Sequence, residues 1–194
     1  MNFLSFTHPV LSCQEAKVLE SCVLVDEATE WAAMKLAGQG IAKQLVQDYA
    51  ELRSPSECLR VLALIGKGNN GGDALIACGQ LLADFPRARV ELILALPSEE
   101  LRPLAARALQ QLEGRVEAHQ ISDQNDVSEI TQMLSDAADS EGFHICIDGL
   151  LGIAFTPPLC APFATLIEAV NMFEAIDLRA SVDLPSGKGD GCLL

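Results

Sequence analysis

The chain has 194 residues, of which 49% are hydrophobic and 21% charged, a composition that supports one folded core and excludes a disordered polypeptide. The 27 acidic residues outnumber the 13 lysines and arginines, so the formal net charge is -14. That charge repels nucleic acid and anionic lipid at long range, and we expect neither as a partner. A few backbone N–H groups or one bound cation still allow a small phosphorylated ligand.

Cysteine usage and the lack of apolar runs bear on location. The seven cysteines form no CxxC pair and are odd in number, which favours reduced thiols in a cytosolic setting. The first residues lack the basic start of a signal peptide, and no window reaches the ~18–20 apolar residues of a membrane span. We therefore expect a soluble cytoplasmic protein.

The chain begins with a helical segment. Between residues 15 and 52 the apolar positions recur at helical spacing, including Val18, Leu19 and Cys22 and then a longer series from Ala28 to Val46. Gly38 and Gly40 are costly inside a helix, so they indicate close packing against a neighbour or a kink.

Strands and helices alternate after residue 58. Short apolar runs predict strands over residues 59–65, 90–95, 116–119, 143–147 and 180–184. Helical periodicity follows over residues 73–83, 99–112, 127–137 and 161–173. This alternation predicts a parallel sheet covered by helices on both faces, with ligands bound beyond the carboxyl ends of the strands.

The first strand is followed by an unusual turn, GKGNNGGD, at residues 66–73. Its four glycines let a backbone approach a ligand closely, and the N–H groups at the following helix start favour an anion. An ordinary tight turn would need only one or two glycines and a capping residue. A dinucleotide-binding GxGxxG match is also present, but the second strand ends without the acidic residue that binds ribose.

Two later turns each place an aspartate after a strand: Asp148 in DGLLG and Asp183 in DLPSG. A lone aspartate at such a position is as often a turn or cap residue as a functional one. Two of them near an Asn-Asn-Gly-Gly turn favour a functional site.

These residues resemble a known family. GKGNNGGDALIA, DGLLG and SVDLPSG are similar to the three signature loops of the YjeF N-terminal domain family, the NAD(P)H-hydrate epimerases, in that order, and Met34–Gly38 resembles its Leu-Met-x-x-Ala-Gly helix. The resemblance implies a Rossmann-like three-layer α/β/α sandwich with a mostly parallel sheet and an N-terminal helical segment. It also implies an isomerase that interconverts the R and S forms of NADHX and NADPHX, a step of nicotinamide nucleotide repair.

The resemblance further implies a set of site residues. The metal ligands would be Asn70, Asp148 and Ser186, holding one potassium ion per subunit. The substrate would be bound by Asn69, Asn70, Gly71, Gly72, Asp73, Gly152, Ile153, Ala154, Phe155, Thr156, Pro157, Pro158 and Asp183. A homodimer and a separate NAD(P)H-hydrate dehydratase are the partners that it implies.

The chemistry of the residues agrees with these roles. An amide, a carboxylate and a hydroxyl offer oxygen ligands to a hard cation, which could neutralise substrate phosphate inside an acidic protein. Inversion at C6 of the hydrated ring, beside the ring nitrogen, requires that carbon to open or ionise and close from the other face. We nominate Asp183 as the catalytic group that moves the proton.

Two departures leave alternatives open. The family loop after the second aspartate commonly reads Gly-Thr-Gly, whereas this chain has Gly152-Ile153-Ala154. The chain also runs only a few residues past Gly187, so we expect one domain over 1–194 that is short at its C-terminus and has no fused dehydratase. These features favour a non-catalytic nucleotide-binding or protein-interaction module of the same fold. The presence of Asn70, Asp148, Asp183 and Ser186 favours the enzyme. A nucleotide-dependent transferase or oxidoreductase is disfavoured by the missing ribose-binding acid.

Overall fold

The computed structural model describes residues 12–54, 56–153, 155 and 157–188. The helices are α1 (Cys13–Val23), α2 (Glu27–Leu52), α3 (Asn69–Asp84), α4 (Pro103–Gln110), α5 (Val127–Ala138) and α6 (Phe163–Met172). The strands are β1 (Arg60–Ile65), β2 (Arg89–Leu94), β3 (Glu117–Gln120), β4 (Phe143–Gly149) and β5 (Ile176–Ser181). A 3-10 turn, Ser98–Glu100, precedes α4.

The five strands form one sheet in the order β3-β2-β1-β4-β5, and every adjacent pair is parallel. Helices α2, α3 and α4 cover one face, and α5 and α6 cover the other. The predicted three-layer α/β/α sandwich is therefore confirmed, with a sheet that is wholly parallel in the described part of the chain.

The centre of the sheet explains the apolar run of the first strand. Every residue of β1 is buried, because β1 has a strand on each side and helices on both faces. Val61, Ala63 and Ile65 pack under α2 and α3, while Leu62 and Leu64 pack under α5 and α6. A strand buried on both faces needs no polar alternation.

The predicted helical segment before β1 consists of two helices. Each begins with a capping box, Ser12 with Glu15 in α1 and Asp26 with Thr29 in α2. Gly38 lies where α2 crosses α3, and a Cβ there would lie 2.5 Å from the Cβ of Ile76. The close-packing interpretation of Gly38 is confirmed, whereas Gly40 is exposed with open space around it.

Three predicted boundaries were wrong. Helix α3 begins at Asn69 rather than residue 73, so Asn-Asn-Gly-Gly is the first helical turn. Helix α4 begins at Pro103, because proline suits the first helical position. Strand β5 spans Ile176–Ser181 rather than 180–184; it is an edge strand with only one fully buried residue, so Asp183 does not end a buried strand.

No helix in the described part of the chain is long and apolar enough to cross a membrane. Several large apolar side chains are nevertheless exposed on α1 and the residues that follow it, among them Val23 and Val25, and Leu36 on α2 is 71% exposed. The apolar positions of α1 thus follow the predicted helical spacing without being covered by the described residues.

Candidate functional site

The three predicted turns meet at one edge of the sheet. Strands β1, β4 and β5 are neighbours and parallel, so the turns that follow them lie side by side at their carboxyl ends. Helix α3 leaves β1 on one face, and α6 follows β4 on the other. A crevice between strands whose helices leave on opposite faces is where parallel α/β sheets bind ligands.

The glycines of the first turn permit close packing. A Cβ on Gly66 would overlap the carbonyl oxygen of Leu150, and one on Gly71 would overlap the carbonyl oxygen of Gly66. A Cβ on Gly72 would lie 2.5 Å from Cε of Met34 in α2. Gly71 and Gly72 cost about 1 kcal/mol each inside a helix, and the close approach of α3 to its neighbours offsets that cost.

The second turn is organised around the carboxylate of Asp148 at the end of β4. The backbone N–H of Ser186 donates to Oδ2 at 2.8 Å, and the hydroxyl of Ser186 donates to Oδ1 at 2.6 Å. The N–H of Leu150 also donates to Oδ1, at 3.2 Å. The third turn is thereby fixed to the second, and the donors to Asp148 among the described residues are two backbone N–H groups and one hydroxyl.

Asn70 and Ser186 converge on the peptide groups of Leu151. The side-chain amide of Asn70 donates to the carbonyl oxygen of Leu151 at 3.0 Å. The N–H of Leu151 donates to the hydroxyl oxygen of Ser186, also at 3.0 Å. The three predicted metal ligands, Asn70, Asp148 and Ser186, therefore surround one backbone segment.

Asp183 joins this group two residues after the end of β5. Its Oδ2 accepts a hydrogen bond of 2.9 Å from the N–H of Ile153, and the residue is exposed. A Cβ on Gly152 would lie 2.7 Å from Nδ2 of Asn70 and 3.0 Å from Oδ2 of Asp183. Gly152 is required because the side chains of Asn70 and Asp183 approach it from two turns.

Asp73 lies one turn of α3 beyond Asn70. Burial raises the pKa of its carboxyl group to about 7. No hydrogen bond or ion pair to it occurs among the described residues, which agrees with burial as the cause. A carboxyl group that titrates near neutrality is a candidate for proton transfer.

The loop after Gly152 is only partly described. Ile153 and Phe155 are half-buried, Pro157 and Pro158 are exposed, and the N–H of Phe155 donates to the carbonyl oxygen of Gly152 at 2.9 Å. Ala154 and Thr156, also predicted to line the substrate, lie outside the described residues.

The structure thus brings together some of the predicted site residues. Asn70, Gly152, Ile153 and Asp183, with Asp148 and Ser186, form one cluster, whereas Asn69 is exposed at the helix start and Gly71 and Gly72 are buried. The backbone of Leu151, to which Asn70 and Ser186 both bind, was not among the predicted site residues. Its role is carried by peptide groups, so its side-chain type gives no signal.

Cavities help to delimit the site. One of about 210 Å³ reaches Asp148 between β4, β5 and α6. A larger groove of about 790 Å³ between β2, β3 and α5 contains His119, whose Nε2 lies 3.1 Å from Glu91, and none of the predicted site residues. We place the site at the three turns, because that is where the polar groups converge.

The predicted metal ligands carry donor atoms of the type that a hard cation prefers. In the described part of the chain no three His, Cys, Asp or Glu side chains come together as metal ligands. The predicted set is instead an amide oxygen, a carboxylate and a hydroxyl, which are all oxygen donors. Oδ1 of Asn70 accepts no hydrogen bond from the described residues, and Oδ2 of Asp148 accepts only one.

Comparisons with known proteins identify the family of the chain. The family model described as YjeF-related protein N-terminus matches residues 31–191. The chain belongs to this family. It is similar, with 30% identity over 162 residues, to the NAD(P)H-hydrate epimerase of Candida albicans, covering 79% of this chain and 59% of that protein. The epimerase of Rhodopirellula baltica is 31% identical over 183 residues, covering 92% and 66%.

Other relatives are much longer. The bifunctional NAD(P)H-hydrate repair enzyme of Hyperthermus butylicus is 28% identical over 181 residues, which cover 92% of this chain and 31% of that enzyme. The crystal structure of yeast ynu0 matches with a TM-score of 0.71 and 22% identity, covering 93% of this chain and 72% of that one. This chain therefore spans between about a third and two thirds of the curated relatives named here, and the yeast structure supports the fold.

Proposed function

We propose that this protein is an isomerase that interconverts the R and S forms of NADHX and NADPHX. The observation that carries the proposal is the convergence of Asn70, Asp148, Asp183 and Ser186 at one edge of the sheet. Membership of the family supports it, because several relatives are named NAD(P)H-hydrate epimerase.

Asp183 is the proposed proton carrier. One carboxylate oxygen is held by the N–H of Ile153, and Oδ1 accepts no hydrogen bond from the described residues. The carboxylate is exposed at the crevice, so it can reach the hydroxyl group that leaves and returns at C6. Residues Asn69–Asp73 and the loop 152–158 hold the substrate in this proposal.

A potassium ion is the proposed cofactor, one per subunit. Asn70, Asp148 and Ser186 would hold it, since their oxygen donors suit a hard cation and two of them retain unused acceptor capacity. When bound, the ion would neutralise negative charge on the substrate in a protein whose own charge is -14.

The decisive experiment measures R-to-S conversion by purified protein, with potassium chloride and with an equal concentration of choline chloride. Conversion above the spontaneous rate that depends on potassium is expected. Asn70→Ala and Asp148→Asn should each remove the potassium dependence of ligand binding while the variants still unfold cooperatively. Unchanged potassium-dependent affinity in both folded variants would refute the metal assignment.

A binding module of the same fold is the second candidate. Ile153 stands where the family commonly has threonine, so the crevice lacks a hydroxyl donor that would contact phosphate or ribose. Ligand binding without conversion above the spontaneous rate would establish this alternative.

The proposal includes two partners. A homodimer is supported by the exposed apolar residues Val18, Leu19, Val23 and Val25, which a partner subunit would cover. Light scattering across a concentration series tests it. A separate dehydratase would consume the S form. Adding such an enzyme to the assay and measuring coupled turnover tests this partner.

A further inference from the structure

A cavity of about 210 Å³ lies between α6 and the sheet, beside the candidate site. Leu64 and Cys146 line it from β1 and β4, and Ile167 and Val170 line it from α6. None of the residues predicted to bind substrate lines this cavity, which shares only Asp148 with the candidate site. An apolar cavity of ~150 Å³ binds benzene, so this one accommodates a single aromatic ring with a short substituent.

Three polar side chains line the same cavity and have unused hydrogen-bonding capacity. Asp148 and Ser181 are register partners on the adjacent strands β4 and β5, so their side chains lie on the same face of the sheet. Oδ2 of Asp148 accepts one hydrogen bond from the described residues, which leaves it a free lone pair. Neither the hydroxyl of Ser181 nor the side-chain amide of Asn171 takes part in a hydrogen bond among the described residues. An apolar cavity with a few polar groups at its border is the usual form of a small-molecule site.

The charge of the cavity favours a cation. The carboxylate of Asp148 has no ion-pair partner among the described residues. Arg179 also lines the cavity, but its guanidinium donates to the carbonyl oxygens of Val170 and Phe173 near the end of α6. Arg179 therefore stabilises the end of the helix, and the apolar walls strengthen the attraction between Asp148 and a bound cation.

We propose that this cavity binds a small aromatic cation, with its ring between α6 and the sheet and its charged group against Asp148 and Ser181. A ring loses less conformational freedom on binding than a flexible chain of equal volume. Such a ligand competes with the proposed potassium ion for Asp148, and this competition is the one part of the inference that rests on the proposed function.

Benzamidine hydrochloride and benzamide test the cavity in potassium-free buffer, because the two probes have nearly the same shape and only benzamidine is charged. Binding is followed by NMR through the methyl groups of Leu64, Ile167 and Val170. Benzamidine should shift these resonances and bind at least about tenfold more tightly than benzamide, since a charge-assisted hydrogen bond is roughly twice as strong as a neutral one. The absence of shifts at millimolar benzamidine, or equal affinity for the two probes, overturns the proposal.

Variants that fill the cavity from opposite walls show whether binding occurs there. Ile167→Phe enlarges a half-buried side chain of α6, and Ser181→Leu adds apolar volume from β5. Ile167→Leu, which conserves volume, is the matched control. Each filling variant that still unfolds cooperatively should bind benzamidine at least about tenfold more weakly, and the control should bind it like the parent. Unchanged affinity in a folded filling variant overturns the proposal.

Potassium separates this inference from the proposed metal site. Potassium chloride should weaken benzamidine binding more than an equal concentration of N-methylglucamine chloride does, because both potassium and the probe use Asp148. The N-methylglucamine salt corrects for general screening by ionic strength. Cavity binding that potassium leaves unchanged refutes Asp148 as a potassium ligand and leaves the cavity inference intact, and neither result depends on R/S conversion.

Discussion

The two ends of the sheet carry similar residues in opposite settings. At the amino end, Arg60 is 5% exposed, and its guanidinium donates to the carbonyl oxygens of Ala137 and Gly142. Asp177, near the start of β5, accepts from Tyr49 and pairs with Arg53 at 3.1 Å. At the carboxyl end, Asp148 and Asp183 are held, among the described residues, only by backbone N–H groups and one hydroxyl.

This difference separates structural from functional carboxylates. The guanidinium of Arg53 pairs with Asp177 and offsets its negative charge. Peptide dipoles orient Asp148 and Asp183 without neutralising them, which leaves their charge available to a cation or a proton. The location of an aspartate in the chain does not reveal this; the partner that binds it does.

The difference between the two ends of the sheet is tested most strongly by changing one aspartate at each end of β5. Asp183→Asn should lower R/S conversion by about 10²- to 10⁴-fold, because an amide cannot accept and return a proton. Asp177→Asn should leave the rate unchanged and lower only stability, since it removes one partly exposed ion pair. Rates are measured at saturating substrate in the presence of potassium.

An equal loss of rate in both variants would mean that the two ends are not functionally distinct. An Asp183→Asn variant as active as the parent would move the search for the proton carrier to Asp73.

Ile153 stands where the family commonly has threonine, and this difference predicts a smaller effect, on substrate binding, at the carboxyl end. Ile153→Thr with Ala154→Gly should tighten substrate binding by about ten- to hundredfold, the worth of one good hydrogen bond to a charged group. Ile153→Val with Ala154→Gly is the matched control, because valine keeps the branched shape without the hydroxyl. Equal affinity in the two double variants would show that the hydroxyl contributes nothing.

The two ends also differed in how well the sequence predicted them. Apolar runs predicted the strands and the layers, since burial on both faces leaves a continuous pattern in β1 and β4. The signature loops predicted Asn70, Asp148 and Ser186, which the structure brings together. The start of α3 was missed because four glycines and two asparagines favour a turn locally, and tertiary packing overrides that preference.

The side chains that meet at the amino end of the sheet were not indicated by any pattern in the sequence. Tyr49, Arg60, His144 and Asp177 come from four distant elements, and only the sheet order brings them together. The same holds for Lys67 and Arg102, which are joined by a backbone hydrogen bond. Pairings of this kind depend on topology, which a single sequence does not specify residue by residue.

The pH dependence of stability should have opposite signs at the two ends. At the carboxyl end, burial raises the pKa of Asp73 from 3.8 to about 7. The folded state then keeps a proton on Asp73 that the unfolded chain releases. The contribution of Asp73 to stability is therefore fully present below pH 3.8 and is lost as the pH rises to about 7. Asp73→Asn should therefore have a larger free energy of unfolding than the parent at pH 8, by up to about 4 kcal/mol, and nearly the same free energy of unfolding at pH 4. A melting difference that does not grow with pH would contradict the burial of this carboxyl group.

The smallest effect is expected at the amino end, from His144 in β4. Its Nδ1 accepts a hydrogen bond of 2.8 Å from the backbone N–H of Arg60, and burial is the main cause that lowers the pKa of the ring from 6.5. The unfolded chain then binds a proton on this histidine more readily than the folded protein does. The contribution of His144 to stability is therefore present above pH 6.5 and is lost as the pH falls below that value. His144→Gln keeps an acceptor for Arg60 but does not titrate, so its melting temperature should lose less than the parent's between pH 7 and pH 5. Because the ring is partly exposed, we expect a difference of less than about 1 kcal/mol. Asp73→Asn, measured over the same range, should lose more stability than the parent between pH 6.5 and pH 5, because Asp73 of the parent gains stability as the pH falls, and a smaller loss than the parent's would contradict the raised pKa of Asp73.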